Sequence, residues 1–336
     1  MIPATTTMTG LKKVPGALVI FNRPMHTRRV VEAIHAYGPA ALYVIADGPR
    51  GENERENCIA ARAVIDEVTW ECPIEKNYSE VNLGCRIRVS SGLDWVFDRC
   101  EAAIVLEDDC LPHPSFFEYC AELLSRYQDD ERVMLISGYN YLSLKMPLAS
   151  GSDDYSYRFS RYGETWGWAS WRRAWQFYDL DMSLWPMLRR DPNWLLDITG
   201  DPDAAGYWRM MFDRIHADGG TTWDFQWRFA LWAQNALDIV PRHNLISNIG
   251  FGADATHTVD LNDSNADAPV TALRLPLSHP VCMARDLTAD RQHFIARVGW
   301  KRSAAWKRTG RAFVERLPSP LPQWIERVRA PMRRNA

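Results

Sequence analysis

The sequence predicts an α/β fold in which a mostly parallel central sheet is flanked by helices. Short apolar runs of strand length alternate with amphipathic segments of helical period through the first half of the chain. Several of these apolar runs end directly in polar or acidic residues, as strands do where a parallel sheet forms a ligand site. With 336 residues, 46% of them hydrophobic, the chain can bury such a core in one large domain or two small ones.

The predicted elements follow one another at the spacing of β-α-β units. A helix over residues 27–37 carries Val30, Val31 and Ile34 on one face, as an amphipathic helix requires. The spacing favours right-handed crossover connections between parallel strands. The predicted strands cover residues 17–21, 41–46 and 103–106, and the predicted helices cover residues 27–37, 58–68 and 86–97.

The strand over residues 103–106 runs straight into Glu107, Asp108 and Asp109. Carboxylates held close together repel, so they raise a pKa or need a cation between them. Mg²⁺ and Mn²⁺ prefer hard oxygen ligands and bridge carboxylates to nucleotide phosphates. The triplet therefore predicts a metal and nucleotide site, with a solvated acidic loop as the alternative for the triplet alone. A helix is predicted to begin soon after it, at Pro114 or Ser115.

Residues 106–119, LEDDCLPHPSFFEY, resemble the metal-binding motif of GT-A glycosyltransferases. The likeness is nearest to the N-acetylglucosaminyltransferase that initiates complex N-glycans, and the chain is also similar to bacterial sugar-nucleotide transferases, some labelled "hemolytic protein". The resemblance implies a GT-A, Rossmann-like fold and an enzyme of glycosyl transfer. It also implies that Asp109 holds Mn²⁺ or Mg²⁺ against the donor diphosphate, while Glu107 and Asp108 face the donor ribose and sugar.

Polar residues also follow the first two strands: Asn22 and Arg23 after one, Asp47 after the other. Asn and Asp are common turn formers, which is the simpler explanation. A uracil ring, however, needs a hydrogen-bond donor and an acceptor, and an Arg and an Asp supply them. The resembling family holds the nucleotide base at these two strand ends, which favours a binding role for all three residues.

A second donor-binding segment is predicted at the helix that follows Gly84. Arg86 and Arg88 lie in its first turns, and backbone amides at a helix start beside guanidinium groups favour a diphosphate. Surface arginines without a catalytic role are the alternative. The resembling family places a similar segment under the donor, so both arginines are candidates for donor binding.

Tryptophan is dense in the middle of the chain, and most of these residues are expected to fill the core. Sugars present apolar faces that stack on indoles, so Trp166, Gly167 and Trp168 are a candidate sugar platform. A glycine there would let the backbone approach a ligand. The resembling enzymes carry a Gly-Trp element at this point, in the acceptor and donor-sugar site.

The predicted catalytic base is Asp224, within residues 221–227, TTWDFQW. Inverting transfer needs one base beside the acceptor hydroxyl. The resembling family supplies it from a Trp-Asp-Asp-Trp segment, whereas this chain has a single Asp and one further residue before the second Trp. Thr222 or Asp224 as the cap of a helix running to Asn235 is the structural alternative.

A loop over residues 244–258 carries two glycines around Phe251, which is typical of a lid that excludes water from a reactive donor. Within it, His257 is a candidate second metal ligand, as a late His is in many GT-A enzymes. A loop histidine with neither role is the alternative.

The predicted organisation is an extension over residues 1–14, a GT-A domain over 15–285 and a basic tail over 286–336. Within the domain, residues 15–140 form the nucleotide-binding half and 141–285 the acceptor and catalytic half. Residues 291–336 hold twelve basic and two acidic side chains, a net +10, which leaves −13 for residues 1–290. Basic segments with interleaved Trp suit an anionic membrane surface; a solvated tail or an oligomer contact is the alternative.

Composition excludes several function classes. A net charge of −3 does not favour nucleic-acid binding. Seven scattered Cys form neither a disulfide framework nor zinc-type pairs, which predicts reduced thiols and a cytoplasmic protein, with peripheral membrane contact through the tail. We expect no signal peptide and no membrane span. The dinucleotide fingerprint and the P-loop are both missing from the sequence.

Together these features predict a metal-dependent, inverting glycosyltransferase. It would transfer a sugar from a nucleotide-sugar donor, UDP-linked by the resemblance, to a glycan, lipid-linked saccharide or protein. One alternative is a non-catalytic carbohydrate-binding or membrane-active protein, which would not need acidic strand ends, a base and a hinged loop together. Another is a sugar nucleotidyltransferase, whose Gly-rich activation loop after the first strand is missing here.

Overall fold

The computed structural model describes residues 13–145, 155–251 and 267–299. The chain divides into two compact units, Met1–His293 and Phe294–Ala336. Of the second unit, the described part is the end of a helix at Phe294 and a π-helix over Ile295–Gly299. All of the described strands belong to the first unit.

Strands and helices alternate through the first half, as the sequence predicts. The strands are β1 (Gly16–Ile20), β2 (Leu42–Ala46), β3 (Ile74–Tyr78), β4 (Ala102–Glu107), β5 (Cys110–Pro112), β6 (Val133–Ser137), β7 (Tyr157–Ser160), β8 (Trp168–Trp171), β9 (Leu237–Pro241) and β10 (Ile246–Asn248). The helices are α1 (Pro24–Tyr37), α2 (Glu52–Asp66), α3 (Gly84–Phe97), α4 (Ser115–Arg126), α5 (Tyr141–Lys145), α6 (Arg172–Trp175), α7 (Trp185–Leu188), α8 (Trp194–Thr199), α9 (Pro202–Asp218), α10 (Asp224–Ala233) and α11 (Leu287–Phe294).

The central sheet has eight strands in the order β3-β2-β1-β4-β8-β6-β9-β7. Strands β1 to β4, β6 and β9 run in one direction, whereas β7 and β8 run against them. Strands β5 and β10 form a separate antiparallel pair. The predicted α/β class, with a mostly parallel sheet and flanking helices, is confirmed.

The order of the strands reverses at β1. From β1 the chain proceeds to β2 and β3 on one side, then returns to β4 on the other. In open α/β sheets, ligands bind in the crevice at the carboxyl ends of the strands where the order reverses. The register pairs Ile20 with Ala46 and Val19 with Glu107, so the residues that follow β1, β2 and β4 meet at one edge.

Helix α1 illustrates how the sequence produces the helices that flank the sheet. Pro24 begins the helix, and Gly38 ends it at φ 66°. Val30, Val31 and Ile34 are all buried against the sheet, as their spacing predicts. Burying an aliphatic side chain of this size stabilises the fold by about 1.5–3 kcal/mol.

Some element boundaries differ from the prediction. Helix α2 begins at Glu52 rather than at residue 58, because its first turn is held by Arg50–Glu54 and Arg55–Glu52 ion pairs and carries no apolar pattern. Helix α10 ends at Ala233, and Asn235, where we expected its end, adopts φ 55°. The sequence analysis did not predict β3, an edge strand with the polar sequence IEKNY and two exposed side chains.

The second half of the sheet carries the tryptophan-rich layer. Trp168 on β8 stacks on Trp223 at 5.6 Å between ring centroids and also packs against Trp175 and Trp227. All four are at most 4% exposed, so this part of the predicted aromatic core is confirmed. We call Trp168, Trp175, Trp223 and Trp227 the tryptophan cluster.

Among the described helices, each is too short or too polar to span a bilayer. Residues 300–336, most of the predicted basic tail, lie outside the described residues, and their membrane contact stays a prediction.

Candidate functional site

A cavity of about 330 Å³ opens at the carboxyl edge of the sheet, where the order of the strands reverses. Its walls are the residues after β1, β2 and β4, together with the first turns of α3. The sequence-predicted residues that line it are Asn22, Arg23, Asp47, Arg88, Glu107, Asp108, Asp109 and Trp166. Those that do not are Arg86, Gly167, Trp168 and Asp224. His257 lies outside the described residues.

The acidic triplet forms the floor of this site. Burial, and then the charge of Asp109, raises the pKa of Glu107 and of Asp108 above the usual carboxyl range. The Phe21 amide donates to Asp108 Oδ2 at 3.0 Å, which ties the end of β1 to the end of β4. Carboxylates whose charges raise one another's pKa in this way favour a nearby cation.

Arg23 is the cation that faces the triplet in this structure. Its Nη1 donates to Asp109 Oδ2 at 2.9 Å, and the two side chains are 12% and 18% exposed. Gly250 lies directly against the pair: a Cβ there would be 2.1 Å from Asp109 Oδ2 and 2.5 Å from Arg23 Nη1. The Ile249 amide also donates to the Asp109 carbonyl at 2.9 Å. The chain after β10 therefore closes over this ion pair, and only glycine fits at residue 250.

A divalent ion at this edge would need oxygen ligands beyond those of the protein. Among residues 13–145, 155–251 and 267–299, no group of three His, Cys, Asp or Glu side chains is placed to hold a metal. Mg²⁺ commonly takes only one or two protein carboxylates and completes its shell with phosphates and water. Asp109 fits an ion in that manner, provided that a diphosphate supplies further oxygens and Arg23 releases Oδ2.

Asp47 is engaged by its own protein. Oδ1 accepts from the Gly48 and Leu83 amides, and Oδ2 from the Gly84 amide and the Asn82 side chain, all at 2.9–3.1 Å. We expected this carboxylate to accept from a nucleotide base, but its oxygens already hold four protein donors. Asp47 instead shapes the cavity wall by fixing the loop that leads into α3.

Arg88 is a cation buried in the cavity wall. It is 5% exposed, and its Nη2 donates to the backbone and side-chain oxygens of Asn77, both at 2.7 Å. Nε has no partner among the described residues, and burial lowers the pKa of the guanidinium. A buried cation with a free donor at a cavity wall suits a carbonyl or anionic oxygen of a ligand.

Arg86 points away from the cavity. Its Nη2 donates to the Leu180 carbonyl at 3.0 Å, and it forms a 3.4 Å ion pair with Asp181. Two residues along a helix are separated by about 200° of rotation, so Arg86 and Arg88 cannot face the same side. The structure does not bring Arg86 to the predicted diphosphate site.

The Trp-Gly-Trp element divides between cavity and core. Trp166 lines the cavity and packs edge-on against Tyr139, at 4.9 Å between centroids. Trp168 is 1% exposed within the tryptophan cluster, where no sugar could stack on it. At Gly167, φ is 62° and a Cβ would lie 2.4 Å from Ile246, so packing requires this glycine. Of the predicted platform, only Trp166 faces the cavity.

Asp224 is the first residue of α10, and the N-cap position is occupied by Trp223 without a side-chain hydrogen bond. The Asp224 carboxylate makes no hydrogen bond or ion pair with any described residue, so the helix-cap alternative is not supported. Its charge is near enough to raise the pKa of Glu107. Thr221, three residues earlier, lines the cavity. Among other carboxylates of the predicted catalytic half, Glu164 pairs with His293 at 3.2 Å, and Asp254 lies outside the described residues.

Sequence reasoning missed several residues of the cavity wall, among them Arg50, Asn82, Cys85, Thr221 and Asn248. Asn82 had a usable signal, because Asn-Leu-Gly before a helix is a turn sequence. Asn248 had none: it reaches the site because β10 pairs with β5, across more than a hundred residues of chain.

Neither a protein-family model nor a curated protein sequence matches the chain. Solved structures show a distant likeness. The chain is similar to a UDP-glucose pyrophosphorylase complexed with UDP-glucose, at 10% identity and a TM-score of 0.29 over 49% of this chain and 79% of that one. It is also similar to a 4-diphosphocytidyl-2C-methyl-D-erythritol synthase from Anaerococcus prevotii, at 7% identity and a TM-score of 0.31 over 49% and 75%. A third likeness is to HddC from Yersinia pseudotuberculosis complexed with GMP-PN, at 11% identity and a TM-score of 0.29 over 47% and 78%. Scores of this size establish no family.

Proposed function

We propose that this chain is a metal-dependent, inverting glycosyltransferase that moves a sugar from a UDP-sugar to a saccharide, lipid-linked or protein acceptor. The observation that carries the proposal is the acidic triplet at the end of β4, which faces Arg23 inside a cavity where the order of the strands reverses. The cavity, about 330 Å³ in volume, is within the usual range for a small-molecule site.

The nucleotide and its diphosphate would contact different walls. Arg88, a buried cation that lines the cavity, would donate to a carbonyl oxygen of the base. Arg23 would exchange the Asp109 carboxylate for a phosphate oxygen, because guanidinium groups bind phosphates as readily as carboxylates. Asp109, once released, would hold the divalent ion against the diphosphate, and that ion would neutralise charge on the leaving group.

The acceptor would be activated by Asp224. Its carboxylate has no hydrogen-bond partner among the described residues and can therefore accept a proton. The acceptor oxygen loses its proton to Asp224 as it attacks the anomeric carbon, and the bond from that carbon to the diphosphate oxygen breaks on the opposite face. Trp166 would offer its ring to the apolar face of the sugar.

The proposal is tested with a panel of UDP-glucose, UDP-galactose, UDP-N-acetylglucosamine and UDP-N-acetylgalactosamine, each with Mn²⁺ and with chelator. We expect Mn²⁺-dependent thermal stabilisation and slow release of UDP from at least one donor. The variant Asp109→Ala should lose the Mn²⁺ enhancement of UDP binding, measured by calorimetry, while Asp66→Ala, which removes an exposed ion pair with Lys76, should retain it.

Two results would contradict the proposal. One is equal UDP affinity and equal Mn²⁺ dependence in Asp109→Ala and the wild type. The other is formation of pyrophosphate from UTP and glucose 1-phosphate without any turnover of the four UDP-sugars, which would identify a nucleotidyltransferase instead.

A further inference from the structure

We propose that Arg86 is a positioning residue that holds the segment preceding Asp224, an inference that rests on the proposed role of Asp224 as the base. Arg86 lies in the first turn of α3, directly after Cys85, which lines the cavity. Its own side chain extends to the opposite side of the helix and contacts two segments of the catalytic half of the chain.

The first contact is with the turn after α6. Arg86 Nη2 donates to the Leu180 carbonyl at 3.0 Å. The accompanying ion pair with Asp181 is long, at 3.4 Å, and the Asp181 side chain is 85% exposed. Exposed pairs of this kind contribute little, so the carbonyl bond carries this contact.

The second contact is with Gly219, which ends α9. A Cβ on Gly219 would lie 3.1 Å from Arg86 Nη1 and 3.2 Å from Cζ, so the guanidinium lies against the Gly219 backbone. Gly219 and Gly220 adopt φ values of 80° and 64°, which makes a sharp turn. A shift of the Arg86 guanidinium would therefore displace the turn that connects α9 to α10.

Residues 219–223 connect the turn beside Arg86 to Asp224, the proposed base. The fully buried Gln226, on the first turns of α10, donates from Nε2 to the Gly219 carbonyl at 3.1 Å. At the other end of the segment, the Tyr178 hydroxyl donates to the Trp223 carbonyl at 3.3 Å. Asp224 follows at once, so Arg86 and Tyr178 hold the segment from its two ends.

One helix therefore sets two parts of the site. Gly84, Cys85 and Arg88 of α3 form the cavity wall, while Arg86 on its other side fixes the turn before Asp224. The contact between Arg86 and the turn at Gly219 therefore determines how Asp224 is aligned with the donor, although Arg86 itself does not line the donor cavity. Misplacement of a catalytic group by about 1 Å can cost about 100-fold in rate.

The experiment compares Arg86→Gln and Arg86→Lys with two controls. Asp181→Ala removes only the exposed ion pair, and Arg99→Gln removes a similar exposed pair with Glu75 just beyond the other end of α3. Three quantities are measured: the Kd for UDP with Mn²⁺, hydrogen exchange of residues 219–223, and the kcat for release of UDP from whichever donor of the four-sugar panel the wild type turns over.

For Arg86→Gln we expect kcat to fall by about 10- to 100-fold, with faster exchange confined to residues 219–223 and a UDP Kd within about twofold of the wild type. Arg86→Lys, which keeps the charge and much of the reach, should be intermediate. Both controls should match the wild type. In the Asp224→Asn background, Arg86→Gln should cause little further loss, because the group it positions is already gone.

A normal kcat in Arg86→Gln, or a UDP Kd raised about tenfold or more, would overturn the inference; the second result would return Arg86 to donor binding. If Arg86→Gln does not fold, Arg86→Lys carries the test: it must lower kcat with the UDP Kd unchanged. The two proposals can fail separately. If Asp224→Asn transfers sugar at the wild-type rate, Asp224 is not the base. If Asp224→Asn is impaired but Arg86→Gln is normal, Asp224 remains the proposed base and only the positioning role of Arg86 is wrong.

Discussion

Two regions of the molecule hold their polar side chains in opposite ways. One is the charged edge, formed by Arg23 after β1 and by Asp108 and Asp109 after β4. The other is the start of α10, where the tryptophan cluster adjoins Asp224. At the charged edge, polar groups are fixed by one another: Asp109 by Arg23, Asp108 by the Phe21 amide. At the start of α10, the cluster packs the indole of Trp223, and the adjacent Asp224 carboxylate makes no hydrogen bond among the described residues. The comparison teaches that, on the proposed roles, the donor-binding charges are held by polar partners, whereas the proposed base is positioned through the packing of its neighbour Trp223 and keeps its own carboxylate unengaged among the described residues.

We expect the largest effect, a loss of sugar transfer, when the Asp224 carboxylate is replaced by an amide. Asp224→Asn keeps the size of the side chain, and Asp224 has no hydrogen bond to lose among the described residues, so the melting temperature should change little. Sugar transfer should fall by about 10²- to 10⁴-fold, as for a lost general base. Binding of UDP with Mn²⁺ should persist, because other residues line that cavity. Transfer at the wild-type rate would show that the base lies elsewhere.

The tryptophan cluster should show the converse behaviour. Trp168→Ala removes a 1% exposed indole that stacks on Trp223, and denaturant unfolding should show a loss of about 3–5 kcal/mol in the free energy of unfolding. Trp166→Ala changes a half-buried side chain of the cavity wall. It should lower the free energy of unfolding less than Trp168→Ala does, and it should weaken sugar binding more. If the two variants lost equal stability and equal activity, the division of this element into core and cavity would be wrong.

Gly250→Ala tests how closely the charged edge is closed. A Cβ would meet both Asp109 and Arg23, so the pair must separate or the chain after β10 must shift. Overpacking of this kind costs about 1–3 kcal/mol, which thermal unfolding would detect. Gly16→Ala is the matched control, because a Cβ there would make only ordinary contacts, at 3.4 Å from Leu42 and 3.9 Å from Pro39. Equal melting temperatures for wild type and Gly250→Ala would mean that this closure is not maintained in solution.

The smallest effect concerns pH. Burial and the neighbouring acids raise the pKa of Glu107 in the folded chain above its unfolded value, so the folded state binds its proton more tightly. The metal-free protein should therefore lose stability as the pH rises from about 4 through the folded pKa of this carboxyl, because a tenfold difference in proton affinity between the two states corresponds to about 1.4 kcal/mol. Glu107→Gln should stabilise the metal-free protein at pH 7 but not at pH 4. Parallel stability curves for the two proteins would contradict this electrostatic account.

The sequence predicted the charged edge well because its signals are local. A buried strand followed by three acids, and polar residues after two other strands, are visible within ten residues of chain, and the sheet brings those ends together. The directions of side chains two residues apart were not visible in this way. Arg86 and Arg88 were predicted to share a role, as were Trp166 and Trp168, yet in each pair one member faces the cavity and the other does not.

Other misses have different physical causes. Asn248 enters the site through pairing of β10 with β5, a contact that no short window of sequence contains. The exposed strand β3 has no apolar alternation from which to predict it. The roles of Asp109, Asp224 and the remaining site residues stay predictions.

The four hydrogen bonds to Asp47 have a consequence for binding kinetics and entropy. Because they already fix the turn around Gly48 and residues 82–84, little of the cavity wall has to be ordered when a ligand arrives. The conformational entropy of that loop is lost during folding, and immobilising side chains at binding would otherwise cost about 0.5–1.5 kcal/mol each. A preorganised wall of this kind would receive the proposed nucleotide in a lock-and-key manner, with the loop over residues 82–84 already in place.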